Sequence, residues 1–304
     1  MTATAALEPL RFGPVRVYLG AKSGKYPDGN QVIVQGTDTR LAFDTPLVAQ
    51  HIGTDLQDAD LIVLGHVHED HMVALGRLSH VPVQVHHADL AAAQSWDGLS
   101  LHYGYAPAVL AQVRELIERD FSYQPRPDAT GYADGALWDL GGGVRVRAHH
   151  LPGHTAGHCA LVEESSGVAF IGDIDLTGFG PYYGDATSDL VQFQHSLQRV
   201  KDLDAQVWVT SHHRGALTDR AAFLQALAQF SAKIDDRSER LLGWLRERPH
   251  TLDEMAQRRL LYPPGADLPF VDSAERRSIG LHLAQLQQAG AVRALGDGAY
   301  DAVA

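Results

Sequence analysis

The chain has 304 residues, a net charge of −12, 45% hydrophobic and 20% charged residues, which is the profile of a globular protein with a proper core. Its single cysteine, Cys159, excludes an internal disulfide and suits a reducing compartment, and no window approaches the ~20 apolar residues of a membrane span. The acidic balance also disfavours a polyanion gripped over a wide surface, because that grip needs lysine and arginine.

The opening MTATAALEPLRFGP has no basic flank followed by an apolar run, so no export signal is expected and the cytoplasm is the expected compartment. From residue 10 to about 80 the chain reads as strands: VRVYLG, NQVIVQG, RLAFDT and ADLIVLGH. Gly24, the Pro27-Asp28-Gly29 cluster and Gly36 punctuate them. Residues 86 to 118 carry helical patterns, in ADLAAAQSW and the amphipathic PAVLAQVRELIERD. Strand signals resume with ALWDL, VRVRAHHL, CALVEE and GVAFIGD; a helix over 188–201 then leads into AQVWVTSHH. Two runs of strands mixed with helices predict a layered α/β domain over residues 1–230.

Residues 231–304 read as a separate unit. DDRSERLLGWLRERP is a helix closed by Pro249, and TLDEMAQRRLLY is a second, with Thr251 as N-cap and Glu254 completing a capping box. SAERRSIGLHLAQLQQAG is a third, capped by Ser273 and stopped at Gly290. AVRALGDGAYDAV supplies two short strands around a tight turn. Three helices and a hairpin make a winged-helix-like shape. With nine arginines against ten acids from Asp236 onward, the unit has no basic stripe. A docking or dimerisation module, and with it a homodimer, is therefore the stronger reading over DNA recognition.

The chemistry concentrates in LGHVHEDHM, residues 64–72, where a buried strand runs into three histidines and two acids. Residues two apart on an extended segment point the same way, so His66 and His68 converge, while Asp70 and His71 lie beyond the turn. Imidazole and carboxylate are the usual ligands of zinc and similar divalent ions, and such a site needs more ligands than one segment supplies. His154 in a Pro-Gly-His turn, Asp173 after VAFIG, and the pair His212-His213 after VWVTS each follow an apolar run.

This pattern of H-x-H-x-D-H, PGHT, GD and a late histidine resembles the metallo-β-lactamase-fold hydrolases, from about Gly20 through FDT at 43–45 to Gly215. The C-terminal unit is similar to the winged helix appended to one branch of that superfamily. The resemblance implies an αββα sandwich with a two-metal site at one sheet edge. His66, His68 and His154 would hold the first ion, Asp70, His71 and His212 the second, and Asp173 would bridge them. His212 is preferred to His213 because the family's late histidine follows a small residue, here Ser211. Zinc is the expected ion, with iron or manganese as alternatives. One departure stands out: Met72-Val73-Ala74 follow the D-H pair where most relatives have glycines, so the pocket floor transfers less well.

Two such ions share a water and lower its pKa toward ~7, giving a hydroxide that attacks a carbonyl or phosphorus centre, and they neutralise the oxyanion that forms. The implied activity is hydrolysis of a small-molecule ester, thioester or lactone, with Asp70 doubling as ligand and proton acceptor. Asp44, ending a strand beside the cluster, is expected to orient a ligand imidazole through its free N–H. Tyr182 and Tyr183, in the glycine-rich TGFGPYYGD, are the candidate substrate contacts. His149, His150, His158 and Cys159 read as core or turn residues, and His86, His87, His102 and His195 as structural. Three rivals are a single-strand endoribonuclease, a mononuclear iron thiol-type oxygenase, and a non-catalytic binder. Selectivity is expected in loops 95–130 and 176–188.

Overall fold

Alternation along the first strands sorts their side chains onto two faces, both buried. Val15, Val17, Val32, Val34, Leu41, Phe43 and Val63 fall in one apolar cluster, while Tyr18, Ile33, Ala42, Ile62 and Leu64 fall in another. A strand buried on both faces needs cover on both, and this dictates layers. The computed structural model describes residues 7–303. Residues 1–6, part of the segment read for an export signal, and residue 304 lie outside the described residues.

The first sheet has seven strands in chain order: β1 (Leu10–Phe12), β2 (Val15–Tyr18), β3 (Gln31–Gln35), β4 (Arg40–Phe43), β5 (Leu61–Leu64), β6 (Val83–His86) and β7 (Thr130–Tyr132). Pairing is antiparallel up to β4 and parallel from β4 to β7. The second sheet uses β8 (Leu137–Asp139), β9 (Arg145–His150), β10 (Cys159–Glu163), β11 (Val168–Phe170), β12 (Val207–Val209) and β13 (Ala216–Leu217), in the order β13-β12-β11-β10-β9-β8. Only β11 and β12 run parallel in it. Valines, Phe43, Phe170 and Cys159 fill the space between the sheets.

Helices cover the outer faces. A short turn α1 (Ala21–Gly24) and α2 (Thr54–Gln57) precede α3 (Leu90–Gln94), α4 (Trp96–Tyr103) and α5 (Pro107–Asp120). The last three pack Ala92, Ala93, Leu99, Val113 and Ile117 under the first sheet. α6 (Leu190–Arg199) and α7 (Arg220–Glu247) cover the second with Phe193, Leu197, Phe223, Leu227 and Phe230. The helix expected from residue 235 is the second half of α7, which starts fifteen residues earlier at Arg220, capped by Asp219, and crosses residue 230 unbroken.

The far half of α7 joins α8 (Leu252–Arg258), α9 (Val271–Gln288) and a three-stranded sheet around a separate core of Leu241, Leu245, Met255, Ile279, Leu283 and Val292. That sheet contains the expected hairpin, β15 (Val292–Ala294) and β16 (Ala299–Ala302), plus β14 (His250–Thr251) paired to β16. The Thr251–Glu254 capping box is present, and Gly290 stops α9 with a φ of 73°. α9 begins at Val271, so Ser273 lies inside its first turn rather than capping it. Among the described residues no helix is long and apolar enough to cross a membrane.

Candidate metal centre

Strand register brings the ligand candidates to one edge. Phe170 of β11 pairs with Val209 of β12, and Asp173 and His212 each follow three residues later, so the two side chains arrive together. β5 delivers His66 and His68 from the first sheet, and a 3-10 turn over Glu69–His71 swings Asp70 and His71 to a neighbouring point. The Cys159 N–H donates to the Gly65 carbonyl at 2.8 Å, joining the two sheets where the ligands emerge. Asp89, buried, clasps the segments by accepting from the Thr155 hydroxyl (2.7 Å), the Gly157 N–H (2.8 Å) and the Val67 N–H (3.2 Å).

All seven predicted ligands converge, in two triads. His66 Nε2, His68 Nδ1 and His154 Nε2 stand 3.0–3.2 Å from one another. His212 Nε2 lies 3.0 Å from Asp70 Oδ2, and His71 Nε2 lies 3.7 Å from Asp70 Oδ1. Asp173 spans both, with Oδ2 at 3.4 Å from His154 Nε2 and Oδ1 at 3.1 Å from His71 Nε2. His213, half-buried, borders the cleft but belongs to neither triad, which favours His212.

The outer nitrogens explain why the inner ones are free. His68 Nε2–H donates to Asp185 Oδ2 at 2.8 Å, and His71 Nδ1–H donates to Asp44 Oδ2 at 2.8 Å. His154 Nδ1–H donates to the Tyr182 carbonyl at 3.0 Å, and His212 Nδ1–H to the Asp28 carbonyl at 2.7 Å. Each bond fixes a tautomer whose lone pair faces inward. Lone pairs facing one another at 3 Å repel unless a cation sits between them; a tetrahedral zinc with ~2.05 Å bonds to nitrogen spaces its ligands by about 3.3 Å. His71 Nε2, His212 Nε2 and Asp173 Oδ1 are buried with no hydrogen-bond partner. This donor set fits two divalent ions.

Asp44 sits where expected. Its φ of 54° is a left-handed backbone, and its Oδ1 accepts from the Gly65 N–H at 2.7 Å while Oδ2 holds His71. Without a metal, Asp173 is held well below the usual carboxylate range: burial opposes this, but His71 and His212, themselves pushed up to protonated forms by the carboxylates around them, outweigh it. His158, read from sequence as a core residue, also serves the site. Burial, then His154, pushes its imidazole down to about 3; neutral, it donates to the Leu151 carbonyl and accepts the Asp173 N–H at 3.1 Å.

Several contributors escaped the sequence reading. Asp185 is the partner of His68 and also accepts from the Tyr105 hydroxyl. Asp175 accepts the His212 N–H at 3.1 Å, and burial, then Asp173, pushes its carboxyl well up. Glu69, pushed up by burial and then by Asp70, accepts from the Tyr103 hydroxyl at 2.6 Å. A cleft of about 350 Å³ opens over the triads. Of the two expected substrate contacts, Tyr182 lines the cleft but Tyr183 does not, which corrects the expectation for Tyr183. The Tyr183 ring is fully buried against the C-terminal helices, where its hydroxyl meets His282 Nε2 at 2.8 Å and accepts from Arg237 at 2.7 Å. The cleft's far wall comes from Tyr262, Leu268 and Phe270, outside the loops expected to set selectivity.

Fold and site together define a layered α/β protein with His/Asp clusters that could hold metal ions, and the family model of the metallo-β-lactamase superfamily matches residues 35–212. The chain belongs to that superfamily. A metallo-β-lactamase family protein from Thermus thermophilus superposes with a TM-score of 0.67 at 25% identity, over 90% of this chain and 94% of that one. A β-lactamase domain protein from Burkholderia ambifaria gives a TM-score of 0.70 at 19% identity, over 99% and 96%. A curated relative from Claviceps purpurea (strain 20.1), named atrochrysone carboxyl ACP thioesterase, is 27% identical over 197 residues, 64% of this chain and 54% of that protein. The chain thus spans about half the length of that relative, and 32% of the thioesterase of the same name from Pseudocercospora fijiensis.

Proposed function

We propose that this protein is a dinuclear zinc hydrolase that cleaves a small carboxylic thioester or ester. The observation that carries the reading is the pair of triads sharing Asp173, in which four of the five imidazoles, all but His66, have an inward lone pair held by an outer hydrogen bond. His66, His68 and His154 would hold one ion, and Asp70, His71 and His212 the other. Two divalent ions supply hydroxide at neutral pH and counter the negative charge that develops on the attacked oxygen. In the balanced reaction water adds its oxygen to the acyl carbon, the carbon–sulfur or carbon–oxygen bond breaks, and the leaving group departs protonated with a carboxylate left behind. Asp70 takes the water's remaining proton, and Asp44, Asp185 and the Tyr182 carbonyl keep the imidazoles aimed.

Thioesterase names among the curated relatives support thioesters as the first substrates to try. The complete second triad favours two metals over a mononuclear iron oxygenase, and a cleft lined by Glu69, Asp70, Asp173, Asp175 and Asp185 with no lysine or arginine favours a small acyl group over a nucleic-acid strand. We read residues 231–304 as a winged-helix-like unit whose role is to close that cleft.

Elemental analysis of metal-loaded protein should find about two zinc ions per chain, and a panel of acyl thioesters and esters should be hydrolysed until a chelator is added. Asp70→Asn should lower turnover by at least a hundredfold. One iron per chain with no zinc, or a zinc-loaded protein inert on the whole panel, would overturn the reading.

A further inference from the structure

The cleft above the triads has a shape that the metal site does not require. One side is a run of parallel rings. The His68 imidazole stacks with Tyr103 (centroids 6.2 Å apart, 6° between planes), Tyr103 with Tyr105 (5.4 Å, 8°), and Tyr105 with Phe270 (6.4 Å, 10°). This row starts at a ligand of the first triad and ends at the residue preceding α9. Across its outer end Tyr262 stands edge-on to both Phe179 (5.6 Å) and Phe270 (6.3 Å).

The hydroxyls along this wall are occupied. Tyr103 donates to Glu69, and Tyr105 donates to Asp185, with Tyr182 at 3.3 Å from Tyr105. Their polar ends are therefore turned to protein partners, and the rings together with Val113, Leu116 and Ile117 of α5 are what a ligand meets on this side of the cleft, whose lining elsewhere includes Tyr26, Asp175, Thr177 and His213. A sugar or peptide would lose its hydrogen bonds with water against such walls without replacing them. A flat apolar ring meets parallel and edge-on partners in the arrangements aromatic pairs prefer.

The outer wall is also held in place. The buried Glu275 carboxylate of α9 accepts the N–H groups of Leu260 (2.7 Å), Leu261 (3.0 Å) and Tyr262 (2.8 Å). These bonds pin the start of the segment that carries Tyr262, Leu268 and Phe270 over the cleft.

We propose that this slot receives a planar aromatic acyl group, and that Phe270 and Leu268 of the C-terminal unit set the preference for it. The proposal rests on the hydrolase reading for its chemistry: the aromatic group lies along the ring row and presents its acyl carbon at the triads.

Metal-loaded full-length protein is assayed with the N-acetylcysteamine thioesters of 2-naphthoic and acetic acid, and binding of the product 2-naphthoate is measured separately by calorimetry. Expected results are a kcat/KM at least tenfold higher for the naphthoyl thioester, a naphthoyl-to-acetyl ratio cut at least tenfold by Phe270→Ala and severalfold by Leu268→Ala, and a ratio kept by Phe270→Trp. Zinc content of each variant guards against misfolding, and Leu268, more than a third exposed, is a second probe should Phe270→Ala fail to fold. Equal rates on both thioesters, with ratios unmoved in the variants, would overturn the slot and leave the hydrolase reading intact. Naphthoate binding weakened tenfold by Phe270→Ala, with no thioester hydrolysed, would support the slot and sink the hydrolase reading. Absence of both binding and hydrolysis would overturn both.

Discussion

His282 offers a sharp test of how the C-terminal unit is held. It lies on α9, fully buried, with Nε2 at 2.8 Å from the Tyr183 hydroxyl and Nδ1 at 2.9 Å from the Ser238 hydroxyl. The Arg237 guanidinium donates to that same Tyr183 oxygen, so Tyr183 spends its own proton on His282, whose Nε2 must be unprotonated. Burial first, then Arg237, pushes the imidazole down from 6.5 to about 3. The unfolded chain therefore binds a proton that the folded chain refuses, so this contribution to stability is complete above pH 6.5 and is lost as pH falls toward 3. At pH 5, about 1.5 units below the unfolded value, the loss is about 2 kcal/mol at 1.36 kcal/mol per unit. His282→Gln keeps a donor and an acceptor but cannot titrate. Urea unfolding followed by tryptophan fluorescence, on metal-free protein at pH 7 and pH 5, should show wild type losing about 2 kcal/mol more than the variant. Parallel losses in the two proteins would refute the tautomer argument.

Three further outcomes follow from named contacts. Asp185→Asn weakens the bond that orients His68, and such partners are worth about 10–100-fold in metal affinity; competition with a zinc chelator should find that loss, and unchanged affinity would discount Asp185. Gly153→Ala puts a Cβ within 2.2 Å of the Phe193 backbone nitrogen at a φ of 129°. The variant should lose about 2–3 kcal/mol in urea unfolding and bind less zinc, because His154 is the next residue. Glu275→Gln sets an amide against three N–H donors, so hydrogen exchange at Leu260, Leu261 and Tyr262 should speed up at least tenfold while amides of β10 keep their protection.

The ligand cluster was legible because its geometry is local. His66 and His68 share a face of one extended segment, Asp70 and His71 follow in the next turn, and His154, Asp173 and His212 each come three or four residues after a strand ends. Asp185 sits 117 residues from His68, in a loop with no periodicity, so nothing in its neighbourhood announces the pairing. The tyrosine pair shows a different limit: adjacent residues on extended backbone face opposite ways, and two identical side chains do not say which one faces the cleft. The first half of α7 did carry a signal. Phe223, Leu227, Phe230 and Ile234 recur at helical spacing and all pack under the second sheet.

The C-terminal unit reads as an appendage in sequence because its core is its own, yet its contacts reach the metal centre. Arg237, buried on α7, donates to the Phe179 carbonyl at 2.7 Å and to the Tyr183 hydroxyl, and Ser278 of α9 donates to the Tyr183 carbonyl at 3.2 Å. Between those anchors lies Tyr182, whose carbonyl fixes the tautomer of His154. A guanidinium buried away from water persists only where oxygens replace its hydration, so the loop must keep the shape that presents them. The helices that carry the outer wall of the cleft thus also brace the third imidazole of the first triad. Loosening Arg237 should therefore disturb metal retention and acyl preference together, whereas Phe270, at the rim, should affect acyl preference alone.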